Sequence, residues 1–168
     1  MAKIHLIEGP VGSGKSTLAS KLCSEHKVPR LILDQWMATL FSPDRPSSEF
    51  VEWYIERKDR CIDQIWSIAC DIVETGSDVI FELGLIQQSI RDRFYDQVDL
   101  AGYEMKIYVV DAPKEVRKGR VQQRNDMKGE TFSMEVPDQI FEMANSMWES
   151  IDESECRNYE VEFISTEN

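Results

Sequence analysis

A chain of 168 residues with 42% hydrophobic and 30% charged side chains has the length and composition of one packed globular domain. No apolar run approaches a membrane span, and the few apolar residues between Lys3 and Glu8 are too short for a secretory leader, so a cytoplasmic location is expected. The net charge of −12 argues against a long nucleic acid as partner. Cys23, Cys61, Cys70 and Cys156 lack paired metal-ligand spacing and read as reduced thiols.

In chain order, short apolar runs alternate with longer amphipathic stretches, which predicts an α/β domain over 1–168 with a mainly parallel sheet. Strands are expected at 3–8, 30–33, 78–82, 105–110 and 159–164. Helices are expected near 15–26, 35–41, 48–75, 87–101, 113–126 and 137–150. The third helical segment has Ser47 or Ser48 as its cap, and its length suggests two helices or one bent one. The clearest loop is 42–48, and a second lies around 126–136 ahead of Pro137, which can open the next helix. The last twenty residues carry seven acids against Arg157 alone, so the chain is expected to fray after the final strand.

Between the first strand and first helix stands Gly9-Pro10-Val11-Gly12-Ser13-Gly14-Lys15-Ser16-Thr17, which fits G-x-x-x-x-G-K-[ST] in the strand–loop–helix context that this motif requires. Gly9, Gly12 and Gly14 let the backbone bend around a phosphate. The N–H groups from Ser13 to Thr17 can then meet it with the positive end of the helix dipole. Lys15 is placed to reach the β and γ phosphates of ATP or GTP, and Ser16 to offer its hydroxyl to Mg²⁺.

Three strand ends carry an acid. Asp34 follows Arg30 to Leu33 and can take the proton of a hydroxyl attacking the γ-phosphate, help hold Mg²⁺ through water, or cap the helix at 35–41. Glu82 closes the third strand with no helix immediately after it, and suits a second Mg²⁺-organising position. Asp111, ahead of Ala112-Pro113, suits a helix cap better. His5 and His26 form no ligand cluster, and His5 reads as structural.

Arg117, Arg120 and Arg124 recur at i, i+3 and i+7, one face of a helix that can stabilise a transferring phosphoryl group or simply be solvated. Lys128 and Gly129 lead into a stretch that can close over a nucleotide, giving a lid at about 117–136. Residues 1–30 and 114–128 together hold 11 of the 19 Lys and Arg but 4 of the 31 Asp and Glu. Trp36, Met37, Phe41, Trp53, Tyr54 and Trp66 are read either as an acceptor pocket or as ordinary core.

On the loop at 9–17, Asp34, the helix Arg117 to Arg124, and Arg124-Asn125 leading through Lys128-Gly129 to Val136-Pro137, the chain resembles the small P-loop kinases. The likeness is greatest to the ATP-binding kinases related to zeta toxins, chloramphenicol phosphotransferase and the 5′-polynucleotide kinase domain. The resemblance implies a P-loop fold with a five-stranded parallel sheet and helices on both faces. It also implies Mg²⁺-ATP as donor, Asp34 as base, and Arg120 and Arg124 in the lid. Polynucleotide kinases of this group place an arginine shortly after the base; here Gln35-Trp36-Met37 follow, which favours a small hydroxylated acceptor over a nucleic-acid end.

Overall fold

The computed structural model describes residues 1–129 and 132–167. In chain order it contains β1 (Lys3–Glu8), α1 (Lys15–His26), β2 (Arg30–Ile32), α2 (Leu33–Leu40), a 3-10 turn (Ser42–Asp44), α3 (Phe50–Glu74), β3 (Val79–Glu82), α4 (Gln88–Ala101), β4 (Glu104–Asp111), α5 (Lys114–Met127), α6 (Asp138–Met147) and β5 (Glu160–Ser165). The strands lie in the order β2-β3-β1-β4-β5, and every pairing is parallel rather than mainly so.

Both faces of the sheet are covered, which is why its inner strands are apolar at successive positions instead of alternating with polar residues. On one face Ile4 and Leu6 of β1 join Val79 and Phe81 of β3 with Ile65 and Ala69 of α3 and Phe94, Tyr95 and Val98 of α4. On the other, Ile7 and Ile80 pack with Ala19 and Leu22 of α1. The chain leaves β1 toward β2, returns to β3, and crosses over to β4 on the far side of β1. Strand direction and order thus open a crevice at the C-terminal end of β1, where ligands of doubly wound sheets sit.

The segment 50–74 is one helix of 25 residues, not two. It contains neither Gly nor Pro, and Cys61, Ile65, Ala69 and Val73 form a continuous buried seam at four-residue spacing. At 1.5 Å per residue it is about 37 Å long, against about 13 Å for the four residues of β3. Residues 75–78 join its C-terminal end to the start of β3, and its N-terminal stretch from Phe50 to Arg60 is exposed or half-buried throughout. Neither Ser47 nor Ser48 caps it: Glu49, at φ 54°, occupies the cap position without a side-chain bond.

Three other expectations are corrected. β2 ends at Ile32, and Asp34 is the second residue of α2, so its carboxylate is not the cap. The side chain of Asp111 accepts from the Ala112 N–H at 2.7 Å and does not cap α5, whose cap position is Pro113. Beyond β5 the chain is still held at Thr166. The Thr166 N–H donates to Asp111 O at 2.9 Å, and its hydroxyl donates to Ser13 O at 2.6 Å. His5 is buried between Asp78 and the Tyr108 hydroxyl, at 2.9 and 3.2 Å. Among the described residues no helix is long and apolar enough to cross a membrane.

Candidate active site

The loop from Gly9 to Gly14 is held against the elements that follow it in space. A Cβ on Gly9 would lie 2.1 Å from Val110 O, and one on Gly12, at φ 79°, would lie 2.6 Å from Arg117 O. Only glycine therefore lets the loop approach β4 and α5 this closely. Ser13 is buried, its N–H donating to Pro10 O at 3.2 Å, while its hydroxyl has no hydrogen-bond partner among the described residues.

Gly14 stands in the left-handed region just before α1 and turns the chain so that the free N–H groups of the first helical turn face the loop. Lys15 curls back over that loop, with Nζ 2.9 Å from Gly9 O and 3.0 Å from Pro10 O. One residue on, the Ser16 hydroxyl reaches both carboxylate oxygens of Glu82 at 3.0 Å. Thr17 is exposed on the helix.

Glu82, buried at the end of β3, feels several of the site's charges. Burial pushes its carboxyl up; Lys15 pulls it down, Asp34 pushes it further up, and the Ser16 hydrogen bond and Arg124 pull it down, leaving it raised overall. Asp34 itself is exposed at the start of α2. The Tyr54 phenol is pushed up to about 12, first by burial and then by the Asp34 charge.

The three arginines of α5 separate into different jobs. Arg117 is buried and donates to Ala112 O (2.9 Å), Val11 O (3.1 Å) and Asn145 Oδ1 (2.7 Å). It ties the phosphate-type loop to α5 and α6 and leaves the expected arginine face. Arg120 donates to Thr166 Oγ1 at 2.8 Å and Ser13 O at 3.4 Å, and also to Thr166 O. Arg124 is half-buried, with an Nε that has no partner among the described residues.

Two lysines of the same helix are engaged elsewhere: Glu142 of α6 binds Lys114 at 2.7 Å and Lys118 at 3.1 Å. The positive charge left for a ligand is thus narrower than the composition of 114–128 suggests. Beyond α5, the Asn125 amide bonds both backbone groups of Val136 at 2.8 and 3.0 Å, which closes the base of the expected lid. Glu130 and Thr131 of that lid lie outside the described residues.

Glu8, Tyr95, Arg91 and Thr166 carry functional interest without a sequence signal strong enough to single them out. Glu8, last in β1, is fully buried, and neither carboxylate oxygen has a partner among the described residues. The buried Tyr95 hydroxyl is likewise unpartnered. Arg91, fully buried in the first turn of α4, joins Glu155 and the carbonyls of Leu85 and Glu149 at 3.0 and 2.9 Å.

A divalent cation suits this donor set. Among the described residues no group of three or more His, Cys, Asp or Glu could hold a metal. The protein offers a hydroxyl, a carboxylate beside it and an acid nearby, all oxygen donors, and leaves the rest of a shell to water and phosphate. That division matches Mg²⁺, which keeps several waters and shares itself with substrate phosphates.

Residues 4–147 match the family model described as an AAA domain. The chain belongs to this family. No curated protein is a significant match in sequence. Among solved structures, this AAA domain is similar to a candidate kinase from Chloroflexus aurantiacus J-10-fl, at TM-score 0.73 and 15% identity over 98% of this chain and 85% of that one. It is also similar to a sugar kinase from Janibacter sp. HTCC2649, at TM-score 0.62 and 17% identity over 98% and 86% of the two chains. A third is the APS kinase of Mycobacterium tuberculosis in complex with AMPPNP and APS, at TM-score 0.67 and 15% identity over 99% and 90%. At these identities the likeness is one of fold: this AAA domain has the α/β fold of the P-loop kinases.

Proposed function

We propose that this AAA domain is a kinase that transfers the γ-phosphate of ATP to a hydroxyl group of a small molecule. The observation that carries the proposal is the Ser16 hydroxyl held on both carboxylate oxygens of the buried Glu82 at 3.0 Å, with the charges of Lys15, Asp34 and Arg124 acting on that carboxylate. Phosphoryl transfer needs little reactive chemistry from the protein; it needs charges fixed around an in-line geometry, and these groups come from four different elements.

In this scheme the N–H groups from Gly12 to Thr17 hold the phosphates, and Lys15 exchanges the Gly9 and Pro10 carbonyls for β and γ phosphate oxygens. Ser16 and Glu82 hold Mg²⁺, which neutralises charge on the phosphates when bound. Asp34 accepts the acceptor's hydroxyl proton as its oxygen bonds to the γ-phosphorus, while the bond from that phosphorus to the bridging oxygen breaks and ADP leaves. Arg124 stabilises the charge on the group in transit. Arg120, already seated on Ser13 and Thr166, borders the nucleotide and fixes the loop's outer edge. The reported relatives named as sugar and APS kinases support a small acceptor.

The test is incubation of the purified protein with ATP and Mg²⁺ across sugars, nucleosides, nucleotides and hydroxylated antibiotics, with mass detection of the product. Phosphate appearing on an acceptor, and absent with Lys15→Ala, is the expected result. ATP-dependent binding of a protein partner without any phosphorylated product would assign the domain to nucleotide-dependent switching instead.

A further inference from the structure

Resting on the reading above that the loop at 9–17 holds nucleotide phosphates, the contacts of Thr166 give that loop a support from outside the motif. Thr166 follows the last residue of β5, yet its polar groups bind three other elements of the site. Its N–H donates to Asp111 O at the end of β4, at 2.9 Å. Its hydroxyl donates to Ser13 O, 153 positions away in the chain, at 2.6 Å. Arg120 of α5 donates to that same hydroxyl at 2.8 Å and also to Thr166 O.

A threonine hydroxyl has one proton and two lone pairs. Asp111 O, at 3.4 Å from it, lies beyond the usual O–H···O range and loses the proton to Ser13 O. The hydroxyl therefore gives its proton to the loop and takes one from Arg120. A chain of donors runs from Arg120 through Thr166 to Ser13, and it is polarised toward the loop because it begins on a cation. Both terminal nitrogens of Arg120 are used in this seat, one of them also reaching Ser13 O at 3.4 Å.

One peptide bond carries the effect into the loop. The described peptide bonds are all trans, and in a trans peptide the C=O and the N–H that follows it point in opposite directions. Fixing Ser13 O on Thr166 thus turns the Gly14 N–H away from β5 and α5. Among the described residues that N–H makes no backbone hydrogen bond. Glycine at 14, at φ 107°, leaves the Ser13–Gly14 plane free to flip, because φ of either sign is open to it. Thr166 removes that freedom at close range: a Cβ on Gly14 would lie 3.7 Å from both its methyl group and its hydroxyl oxygen.

We propose that Thr166 is a positioning residue for the donor nucleotide: by holding the Ser13 carbonyl outward, it keeps the Gly14 N–H aimed at the phosphate chain. It touches no reacting atom. In the flipped plane the Ser13 carbonyl would face the phosphate oxygens and repel them, and the loop would lose one of the N–H groups by which it holds an anion.

Ser13-Gly14 is the single Ser-Gly pair in the sequence. Protein labelled with carbonyl-13C serine and 15N glycine therefore gives one carbonyl-coupled amide signal, that of Gly14. In wild type this amide proton is expected to move downfield when Mg²⁺-ADP binds. Thr166→Val, which keeps the shape and loses the hydroxyl, should shrink that movement at saturating ADP. Calorimetric affinity for ADP should fall about 10-fold with it, the loss expected for one hydrogen bond to a charged group. Thr166→Ala, also without the hydroxyl, should reproduce both changes. Thr166→Ser, which retains it, should restore the movement and bring affinity back to within about twofold of wild type.

An unchanged Gly14 signal and ADP affinity in the Val and Ala variants would overturn the proposal, even where their melting temperatures fall, and would leave Thr166 as a pin for β5 alone. Equal losses in Thr166→Ser would overturn it as well. Wild-type protein that does not bind ADP would overturn it together with the donor-site reading. The expected pattern in a protein that transfers phosphate to no acceptor would support the proposal while sinking the kinase reading.

Discussion

The Ser16 hydroxyl lies 3.0 Å from each carboxylate oxygen of Glu82, joining the first turn of α1 to the end of β3. A hydroxyl held between two carboxylate oxygens marks the edge of an oxygen-lined position that a divalent cation can enter. Glu82→Gln should therefore lower Mg²⁺-dependent turnover by about 100-fold, equivalent to about 2.7 kcal/mol, and raise the Mg²⁺ concentration needed for half-maximal rate. Affinity for ADP without metal should stay within about threefold, since the loop amides and Lys15 are untouched. A Mg²⁺ titration that superimposes on the wild-type curve would remove Glu82 from the metal position.

Asp34 is exposed at the start of α2 and makes no side-chain hydrogen bond among the described residues, so its loss should be felt in chemistry rather than in folding. Asp34→Asn is expected to reduce phosphate transfer by about 100- to 10,000-fold, the range of a general base, with melting temperature and nucleotide affinity little changed. Steady-state kinetics with a fluorescent ADP displacement assay separates the two effects. Full turnover in this variant would leave the proton without an assigned acceptor.

The order of elements was legible because this fold spaces its apolar runs and glycines regularly. The phosphate-type loop at 9–17 announces β1 and α1 by local chemistry alone. Glu82 could be found as an acid closing an apolar strand. Thr166 could not, because its contacts with Ser13 and Arg120 join residues more than forty positions apart and nothing in the acidic tail signals them. Arg117 shows the converse error. Its i, i+3, i+7 spacing with Arg120 and Arg124 is real and keeps all three on one face, but that face runs about 10 Å along the axis, and its first member meets Ala112, Val11 and Asn145, which the last, two turns further on, does not. The length of the third helical segment admitted two helices or one bent one, and the buried seam that runs through a single α3 begins only at Cys61, after a stretch from Phe50 to Arg60 with no buried residue.

Arg117 makes three hydrogen bonds from a buried guanidinium, to the β4–α5 connection, to Val11 of the loop and to Asn145 of α6. Its role is to hold the loop in place. Arg117→Gln should cost roughly 2–4 kcal/mol, since charged hydrogen bonds contribute about 1.5–3 kcal/mol each and their carbonyl partners would be left buried. At about 2–4 °C per kcal/mol for a chain of this size, calorimetry should show a fall in melting temperature of at least about 4 °C. Nucleotide affinity should weaken with it. A variant of wild-type stability with impaired turnover would return Arg117 to the arginine face.

Glu8 supplies the pH dependence. Its carboxyl is fully buried at the end of β1, and burial pushes it up to about 8 from an ordinary 4.5, with Lys15 and Arg91 opposing and Glu82 and Glu155 adding to the rise. Between those two values the folded chain holds a proton that the unfolded chain has released, so this group's contribution to stability is fully present below about 4.5 and is lost as pH rises through about 8. Glu8→Gln keeps the shape, cannot ionise and escapes that loss. Its melting temperature relative to wild type should therefore climb with pH, by at least about 3 °C between pH 5 and pH 9, taking one pKa unit as about 1.4 kcal/mol and 2–4 °C per kcal/mol. Calorimetric scans of the two proteins at pH 5, 7 and 9 measure the difference directly, and subtracting wild type from variant cancels the groups they share. A gap that stays constant over this range would mean that Glu8 finds a partner when charged and that its buried oxygens are not orphaned in solution.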